Sequence, residues 1–580
     1  MKKNYLWMLA AIRPLLITMV ICGVGIITTG CTDKSVEDNP VTPPEEESES
    51  KIIKDPISAS LTEEHAVYMS QLKKEARAKY GENKRISDDS YDKSLAVKCV
   101  NGTFVGKKAG NTIVYRGIPF VGQQPIGALR WKAPVDVTPD DGVYEAYYNG
   151  KSAHQRDVEY SAAYVQGEDC LYLNVFKADD ASVEKKPVMV WVHGGGFEIG
   201  GTVDPAYNFQ NFVTENPDVI VVSIPYRLGV LGFLHLSHLP DGANYPDAQN
   251  LGLMDQLAAL KWIHNNIAGF GGDPDNVTIF GESAGAGSVS LLPLVNGSHQ
   301  YFKRVIAESG SPAMSRSTKQ AIEITNAFMD ALGCKTVADL QKIDAETLVK
   351  AAGDIVLLRG LPERDGTFLP LETLDAYANG SAKDIDVLIG CNKEEMSTWK
   401  GSMGEGYSVW ANDLKVKKLA QLTNEEKVLV ESFFLDASGD NGEKLRSLLD
   451  QIWFVAPFFR TAENQTAAGG KAYAYYFTTR SGHGNELTTV LCHPEMNDPA
   501  IDEAFSKTVR KMWVQFAKTG NPSLSAEISP DGKAHEWPLY NQGGKQVMVF
   551  DEFNIHSSTE REIKLLDWER TYFLTKYFIF

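Results

Sequence analysis

The chain has 580 residues, of which 43% are hydrophobic, so it can bury a core much larger than that of a small single domain. Its formal net charge of −18 argues against nucleic acid and anionic lipid surfaces as partners, because like charges repel. Its seven cysteines include no C-x-x-C pair, so their spacing gives no indication of a metal site, and no disulfide can be assigned from it.

The first residues are predicted to form a targeting signal. Basic residues precede an apolar stretch over residues 15–30, which has the length of a signal peptide and is shorter than an ordinary membrane-spanning helix. The stretch ends in Thr28-Thr-Gly-Cys31, which is similar to the lipobox of bacterial lipoproteins. This similarity implies a signal peptide over residues 1–30 and lipidation of Cys31, with an ordinary signal peptide cut nearby as the alternative. We therefore expect an exported, membrane-anchored lipoprotein of the bacterial cell envelope, periplasmic or cell-surface.

A tether and a helix are predicted to follow. Residues 32–60 are rich in Pro, Glu and Ser and cannot form a core, so we expect a disordered acidic tether. Ser60 then opens a predicted docking helix over residues 61–80, with Glu63 in the capping-box position and Gly81 as the stop. No plausible boundary divides the rest of the chain into independent domains.

Beyond about residue 92, strand-like and helix-like runs alternate. The strand candidates are continuously apolar and include 188–192, 219–224, 277–280 and 387–390, while 257–267 lies among the helix-like runs. Continuous apolar strands separated by helices are typical of a parallel sheet that is covered on both faces. The predicted fold class is therefore α/β, with a mostly parallel central sheet.

Gly281-Glu-Ser-Ala-Gly285 fits the pattern G-x-S-x-G, in which a serine stands on a sharp turn from a strand to a helix. Residues 276–280 before it are typical of a buried strand, and residues 286–292 after it are small and then apolar, which suits a closely packed helix. The glycines are needed because a Cβ at either position would collide with neighbouring backbone. This context predicts a nucleophile elbow at Ser283 rather than a chance surface turn.

The strand at 188–192 runs straight into His193-Gly-Gly-Gly-Phe197. Consecutive glycines let backbone N–H groups turn towards one point, where they can stabilise the oxyanion that forms when a serine attacks a carbonyl group. A merely flexible glycine loop is the alternative. The position of the loop before the nucleophile elbow favours an oxyanion hole.

A serine nucleophile needs a base and an acid. In proteins with a nucleophile elbow of the G-x-S-x-G kind, the serine comes first in the chain, then the acid and then the histidine. The candidate bases are His483, His493, His535 and His556. His483 is favoured because it follows a strand-like segment and lies between two glycines, and His493 is its rival. The loop after the strand at 387–390 offers Glu394 or Glu395 as the acid that orients the imidazole.

Ordered motifs along the chain resemble those of the type-B carboxylesterases, the family that includes the cholinesterases. They include Arg116-Gly-Ile-Pro-Phe120, Glu168-Asp-Cys-Leu-Tyr-Leu-Asn174, Tyr226-Arg-Leu-Gly-Val-Leu-Gly-Phe233, Phe270-Gly-Gly-Asp-Pro274 and Gly520-Asn-Pro522. The resemblance extends from about Cys99 to the last residue.

The resemblance implies an α/β-hydrolase catalytic domain over residues 61–580, with helices on both faces of a large, mostly parallel central sheet. It also implies a serine carboxylic-ester hydrolase that needs no cofactor. Carried over position by position, the implied catalytic residues are Ser283, Glu395 and His483, and the implied oxyanion hole consists of the N–H groups of Gly195, Gly196 and Ala284.

The substrate is less well specified than the reaction. The implied partner is a small-molecule or glycan-linked ester, with contact to a membrane only through the N-terminal lipid. Met396 replaces the glycine that usually follows the acid, and His154 replaces a cysteine that often pairs with the one at Cys170. A catalytically silent ligand-binding or adhesion protein on the same fold is one alternative, and an amidase or thioesterase with the same residues is another.

Overall fold

The computed structural model describes residues 70–559 except for 72, 79, 89, 157–160, 162–163, 181–184, 354–359, 399–421, 480, 493–502, 543 and 552–553. The predicted signal peptide, Cys31 and the predicted tether lie outside the described residues. So does most of the predicted docking helix, of which residues 70, 71 and 73–78 are described and helical. Within the described ranges, every helix is too short or too polar to cross a lipid bilayer.

The described residues form an eleven-stranded central sheet. Its strands in chain order are β1 (Lys107–Ala109), β2 (Thr112–Pro119), β3 (Tyr172–Ala178), β4 (Lys186–Val192), β5 (Ile220–Ile224), β6 (Gly272–Glu282), β7 (Arg304–Glu308), β8 (Asp386–Asn392), β9 (Ala472–Phe477), β10 (Gln546–Asp551) and β11 (Asn554–Thr559). Their spatial order is β11-β10-β9-β8-β7-β6-β4-β5-β3-β2-β1. Strands β4 to β10 pair in parallel, whereas β1, β2, β3 and β11 pair antiparallel at the two edges.

Strand β4 shows why the central strands are apolar throughout. Val188, Val190 and Val192 pack into the core on one face of the sheet, and Met189 and Trp191 pack into the core on the other. All five side chains are fully buried. A strand that is covered on both faces does not alternate between polar and apolar residues, so the observed packing confirms the predicted two-sided parallel sheet.

Helices cover both faces of the sheet. They are α1 (Gln210–Glu215), α2 (Gly229–Gly232), α3 (Leu251–Asn266), α4 (Ala284–Leu291), α5 (Thr318–Leu332), α6 (Val337–Gln341), α7 (Ala345–Gly353), α8 (Thr373–Ala378), α9 (Asn424–Asp436), α10 (Asn441–Asp450), α11 (Ala456–Ala467), α12 (Leu487–Val490) and α13 (Glu503–Thr519). The core on one face includes side chains of α3, α4 and α11, and the core on the other includes side chains of α1 and α13.

A four-stranded sheet accompanies the central sheet. Its strands are Arg85–Ile86, Ala96–Cys99, Asn101–Val105 and Asp140–Glu145. Two short pairs complete the described strands, namely Ser152–Ala153 with Gln166–Gly167 and Arg316–Ser317 with Glu363–Arg364. The five cysteines in the described part of the chain are all free, and Cys170 is buried beside His154, a neighbour that cannot form a disulfide.

Candidate active site

Four strands of the parallel region end at the same edge of the sheet, where α/β proteins bind their ligands. Strand β4 ends at Val192, immediately before the glycine-rich loop, and β6 ends immediately before Ser283. Strand β8 ends three residues before Glu395, and His483 lies in the loop after β9. The topology therefore brings together residues that are far apart in the chain, such as Ser283 and His483, which are 200 positions apart.

Ser283 stands between β6 and α4 with backbone angles φ 57° and ψ −121°, a conformation that residues with a side chain rarely adopt. Gly281 and Gly285 both approach the end of β4 so closely that a Cβ on either would overlap the carbonyl oxygen of Val192. The strand–serine–helix turn predicted from G-x-S-x-G is therefore present, and both glycines are required by close packing.

The side chains of Ser283, His483 and Glu395 form a continuous series of contacts. Oγ of Ser283 lies 2.8 Å from Nε2 of His483, and Nδ1 of the same ring lies 2.7 Å from Oε2 of Glu395. None of the three residues is more than 2% exposed. In this geometry the imidazole can accept the serine proton while the carboxylate fixes the ring and stabilises its charged form.

Glu395 is held in place by two further hydrogen bonds. Its Oε1 accepts from the hydroxyl of Ser309 at 2.6 Å and from the backbone N–H of Asn392 at 2.7 Å. The neighbouring Glu394 has a 42% exposed side chain that lies 3.6 Å from Arg446 instead. Of the two glutamates that the sequence offered, the structure therefore brings Glu395 to the histidine.

The other candidate histidines lie elsewhere or outside the described residues. His535 is 2.9 Å from Asp531, and His556 is exposed on β11. His493 falls in the range 493–502, which is not described. No group of three or more histidine, cysteine or acidic side chains suited to a metal ion occurs among the residues described.

The glycine-rich loop lies against the serine. A Cβ on Gly194 would be 3.2 Å from Cβ of Ser283, and the next two residues, Gly195 and Gly196, have positive φ angles of 100° and 64°. Three backbone N–H groups donate no hydrogen bond to any other described residue, namely those of Gly195, Gly196 and Ala284. These three donors are therefore available to an oxygen atom bound beside Ser283, as an oxyanion hole requires.

Two further carboxylates lie near the histidine, and neither was predicted from the sequence to take part in the site. Oε1 of Glu282 lies 3.2 Å from Nε2 of His483. Glu486 accepts hydrogen bonds from Ser309 at 3.1 Å and from the side-chain amide of Asn392. Their positions directly before Ser283 and three residues after His483 were the available signal. Neither position shows by itself that both carboxylates reach the same buried cluster.

Burial and mutual repulsion shift the titration of this cluster. Burial raises the pKa of Glu282 to about 8, and burial together with the charge of Glu395 raises the pKa of Glu486 to about 7. Burial alone would lower the pKa of His483, but the charges of Glu282 and Glu395 outweigh it and raise the pKa to about 9. The charged imidazolium is therefore strongly stabilised at this site.

A short π-helix packs against the histidine. The π-helix spans Gln451–Val455 and places the ring of Phe454 5.0 Å from the ring of His483. Asp450, immediately before it, accepts from the N–H of Met396 at 2.7 Å. The methionine side chain is fully buried, so the residue that replaces the usual glycine is accommodated in the core. π-Helical turns are frequently found at functional sites.

Residues 92–565 match the family model described as the carboxylesterase family. The chain belongs to the carboxylesterase family. It is 33% identical over 488 residues to para-nitrobenzyl esterase of Bacillus subtilis, which covers 77% of this chain and 93% of that protein. It is 30% identical to mouse cholinesterase, over 78% of this chain and 82% of that protein.

A crystal structure of a Geobacillus stearothermophilus carboxylesterase superposes with a TM-score of 0.71 at 30% identity, covering 82% of this chain and 100% of that one. This carboxylesterase therefore has the α/β-hydrolase fold and is a serine carboxylic-ester hydrolase. Both the predicted fold and the predicted reaction class are confirmed.

Proposed function

We propose that this carboxylesterase cleaves its ester substrate through Ser283, His483 and Glu395. The observation that supports the proposal is the unbroken series of contacts from the serine hydroxyl to the carboxylate, 2.8 Å and then 2.7 Å long. The three groups match the roles of nucleophile, base and orienting acid, because each reaches the next through the atom that its role requires.

In the acylation step, Oγ of Ser283 attacks the ester carbonyl carbon while its proton passes to Nε2 of His483. The carbonyl oxygen becomes negatively charged, and the N–H groups of Gly195, Gly196 and Ala284 stabilise it. The intermediate then collapses, His483 protonates the departing alcohol, and the acyl group remains on the serine.

In the deacylation step, His483 removes a proton from water, which attacks the acyl carbonyl carbon. The same oxyanion hole stabilises the second intermediate. Its collapse releases the carboxylic acid and returns the proton to Oγ of Ser283, so that the enzyme is regenerated. The substrate is a small-molecule or glycan-linked ester, and p-nitrophenyl esters from acetate to octanoate measure the size of its acyl pocket.

The test compares four variants with wild type on p-nitrophenyl acetate and butyrate. We expect Ser283→Ala and His483→Ala to lower kcat/KM by about 10⁴-fold or more, as removal of a nucleophile or its base does. Glu395→Gln should also lose most activity, whereas its neighbour Glu394→Gln is the matched control and should stay near wild type. Equal losses in the two glutamate variants, or full activity in Ser283→Ala, would overturn the assignment.

We also propose that the protein is exported and held at a cell-envelope membrane by lipid on Cys31. The signal-like residues 1–30 and the lipobox-like Thr28-Thr-Gly-Cys31 support this. Cys31→Ser should abolish labelling by an alkyne fatty acid and move the protein to the soluble fraction. Cys22→Ser, inside the predicted signal, is the control and should leave labelling intact. Continued labelling of Cys31→Ser would contradict the proposal.

A further inference from the structure

A cavity of about 460 Å³ lies between the segment around Tyr80 and the edge of the central sheet at β2 and β3. Its volume falls within the range of small-molecule binding sites. None of the proposed catalytic or oxyanion-hole residues lines it. The cavity is therefore distinct from the ester-cleaving site.

One wall of the cavity is formed by Ala76, Tyr80 and Gly81. These residues come before residue 92 in the chain, where the match to the carboxylesterase family begins. This segment packs tightly against the domain, since a Cβ on Gly81 would overlap the ring of Tyr148. Part of the cavity is thus built by a segment that precedes the family's domain.

Asn83 fixes this segment to the rest of the cavity. Its Nδ2 donates to the carbonyl oxygens of Arg116 and Tyr148 at 2.8 and 2.9 Å. Its Oδ1 accepts from the N–H groups of Tyr147 and Tyr148, also at 2.8 and 2.9 Å. Both donor hydrogens and both acceptor sites of the amide are used, so the side chain holds the backbone of three lining residues, Arg116, Tyr147 and Tyr148, in a fixed position.

The lining is unusually aromatic. The rings that line the cavity belong to Tyr80, Tyr147, Tyr148, Tyr164, Phe176 and Tyr207. Nζ of Lys107 lies 4.3 Å from the ring centre of Tyr147 and 4.9 Å from that of Tyr148, which restrains both rings. Tyrosine presents a rigid apolar face together with a polar hydroxyl, so these rings suit a ligand that has both kinds of surface.

Planar polar groups lie among the rings. Among the described lining residues, Arg116 and Asp204 carry the only charges, and these charges are opposite. Nη2 of Arg116 donates to the neutral side chain of Asn208 at 3.4 Å, and Asp204 accepts from the hydroxyl of Tyr164 at 2.7 Å. Oδ1 of Asn149 is buried and has no hydrogen-bond partner within the described part of the chain. The cavity thus offers donors and acceptors without a net charge.

We infer that this cavity binds a neutral carbohydrate, one or two pyranose units of a glycan. The C–H faces of a pyranose stack on aromatic rings, while its hydroxyls pair with planar amide, carboxylate and guanidinium groups. Balanced charges do not select an anion or a cation, and the polar groups would be left unpaired beside an aliphatic ligand. The inference goes beyond ester cleavage, because binding requires none of the proposed catalytic residues.

The test is isothermal titration of the purified protein with cellobiose, xylobiose, mannobiose and maltose. We expect at least one disaccharide to bind and Tyr80→Ala and Tyr148→Ala each to weaken that binding about tenfold, as loss of a stacking ring does. Tyr245→Ala is the matched control, since Nζ of Lys132 lies 3.9 Å from that ring centre but Tyr245 lines no part of the cavity. It should leave binding unchanged.

Binding of none of the four disaccharides, together with unretarded migration in gels containing xylan, mannan, β-glucan or starch, would overturn the inference. So would equal losses in Tyr148→Ala and Tyr245→Ala, or tighter binding of benzoate than of any disaccharide. Ser283→Ala should bind the sugar as wild type does while losing hydrolysis. This arm separates failure of the carbohydrate inference from failure of the catalytic assignment.

Discussion

His483 has a carboxylate near each ring nitrogen, Glu395 at Nδ1 and Glu282 at Nε2. Only the neutral imidazole can accept the proton of Ser283, whereas the surrounding charges favour the imidazolium and raise the pKa of His483 to about 9 against the effect of burial. The same charges stabilise the imidazolium that forms during acylation. The acidic limb of the activity profile should therefore lie above the ordinary pKa of histidine.

Replacing Glu282 by glutamine tests this electrostatic effect. Glu282→Gln replaces a carboxyl group, which is negatively charged above its own pKa of about 8, by a neutral amide of the same shape, so the pKa of His483 should fall. The acidic limb of kcat/KM against pH should then move to lower pH, as measured with p-nitrophenyl acetate between pH 5 and 10. Glu394→Gln should leave the limb in place, and an unmoved or raised limb in Glu282→Gln would contradict the prediction.

Among the individual residues of the site, those that lie in a recognisable local motif could be predicted from the sequence. Ser283 lies in G-x-S-x-G. The predicted strand at 387–390 narrowed the candidate acid to two residues, Glu394 and Glu395. The contribution of Glu486 was not predictable in the same way, because it depends on hydrogen bonds to Ser309 and Asn392 that exist only in the folded chain. Burial, which changes the pKa of these groups, also has no local sequence signal.

At the scale of elements, the site depends on how closely α4 approaches β4. Gly285 lies against the carbonyl oxygen of Val192, and β4 continues into the loop that supplies Gly195 and Gly196. The glycine therefore allows the proposed nucleophile to lie close to the proposed oxyanion hole. Backbone contacts of this kind cannot be relieved by rotating a side chain.

Gly285→Ala should both destabilise the protein and abolish activity. The added methyl group would overlap backbone atoms of β4, and such overpacking costs about 3 kcal/mol. Gly287→Ala in the same helix is the control, because its Cβ would lie 3.1–3.4 Å from side-chain atoms of Met314 and Phe197 and would overlap no backbone atom. The midpoint temperature of thermal unfolding and kcat/KM should both fall far more in Gly285→Ala than in Gly287→Ala. Equal effects of the two variants would contradict this account.

The interior strands were predictable because an uninterrupted apolar run indicates a strand whose side chains are buried on both faces of the sheet. The run predicted at 387–390 lies within β8, and that at 277–280 lies within β6. The antiparallel edges β1, β2, β3 and β11 were not predicted, because pairing direction depends on the partner strand rather than on composition. The π-helix at 451–455, which contacts His483 through Phe454, was likewise not predicted.

At the scale of the whole molecule, the fold is held without covalent cross-links among the described residues. Cys99, Cys170 and Cys391 are buried as free thiols, and burial raises the pKa of each. Unreactive buried thiols are compatible with an oxidising compartment, because the thiolate is the form that oxidises. The size of the two-faced core can supply the stability that small exported proteins take from disulfides.

Reducing agent should therefore not change the stability of the chain without residues 1–31, whose five remaining cysteines are all described. We expect the same midpoint of thermal unfolding with and without dithiothreitol, because no cross-link is available to break. Thiol titration in denaturant should count five free groups. A lower midpoint under reducing conditions, or fewer than five thiols, would show that a disulfide forms.

The backbone of Ser283 has a consequence for evolution of the enzyme. Two backbone hydrogen bonds, each 2.8 Å long, hold its φ at 57°. The N–H of Ser283 donates to the carbonyl oxygen of Glu308, and the carbonyl oxygen of Ser283 accepts from the N–H of Gly287. A conformation of this kind costs about 1–3 kcal/mol for a residue with a side chain and little for glycine. Ser283→Gly should therefore unfold at a higher temperature than Ser283→Ala, and we expect both variants to be inactive. If it does, the fold gives up stability to hold its proposed nucleophile, and selection for heat resistance alone would favour replacement of Ser283.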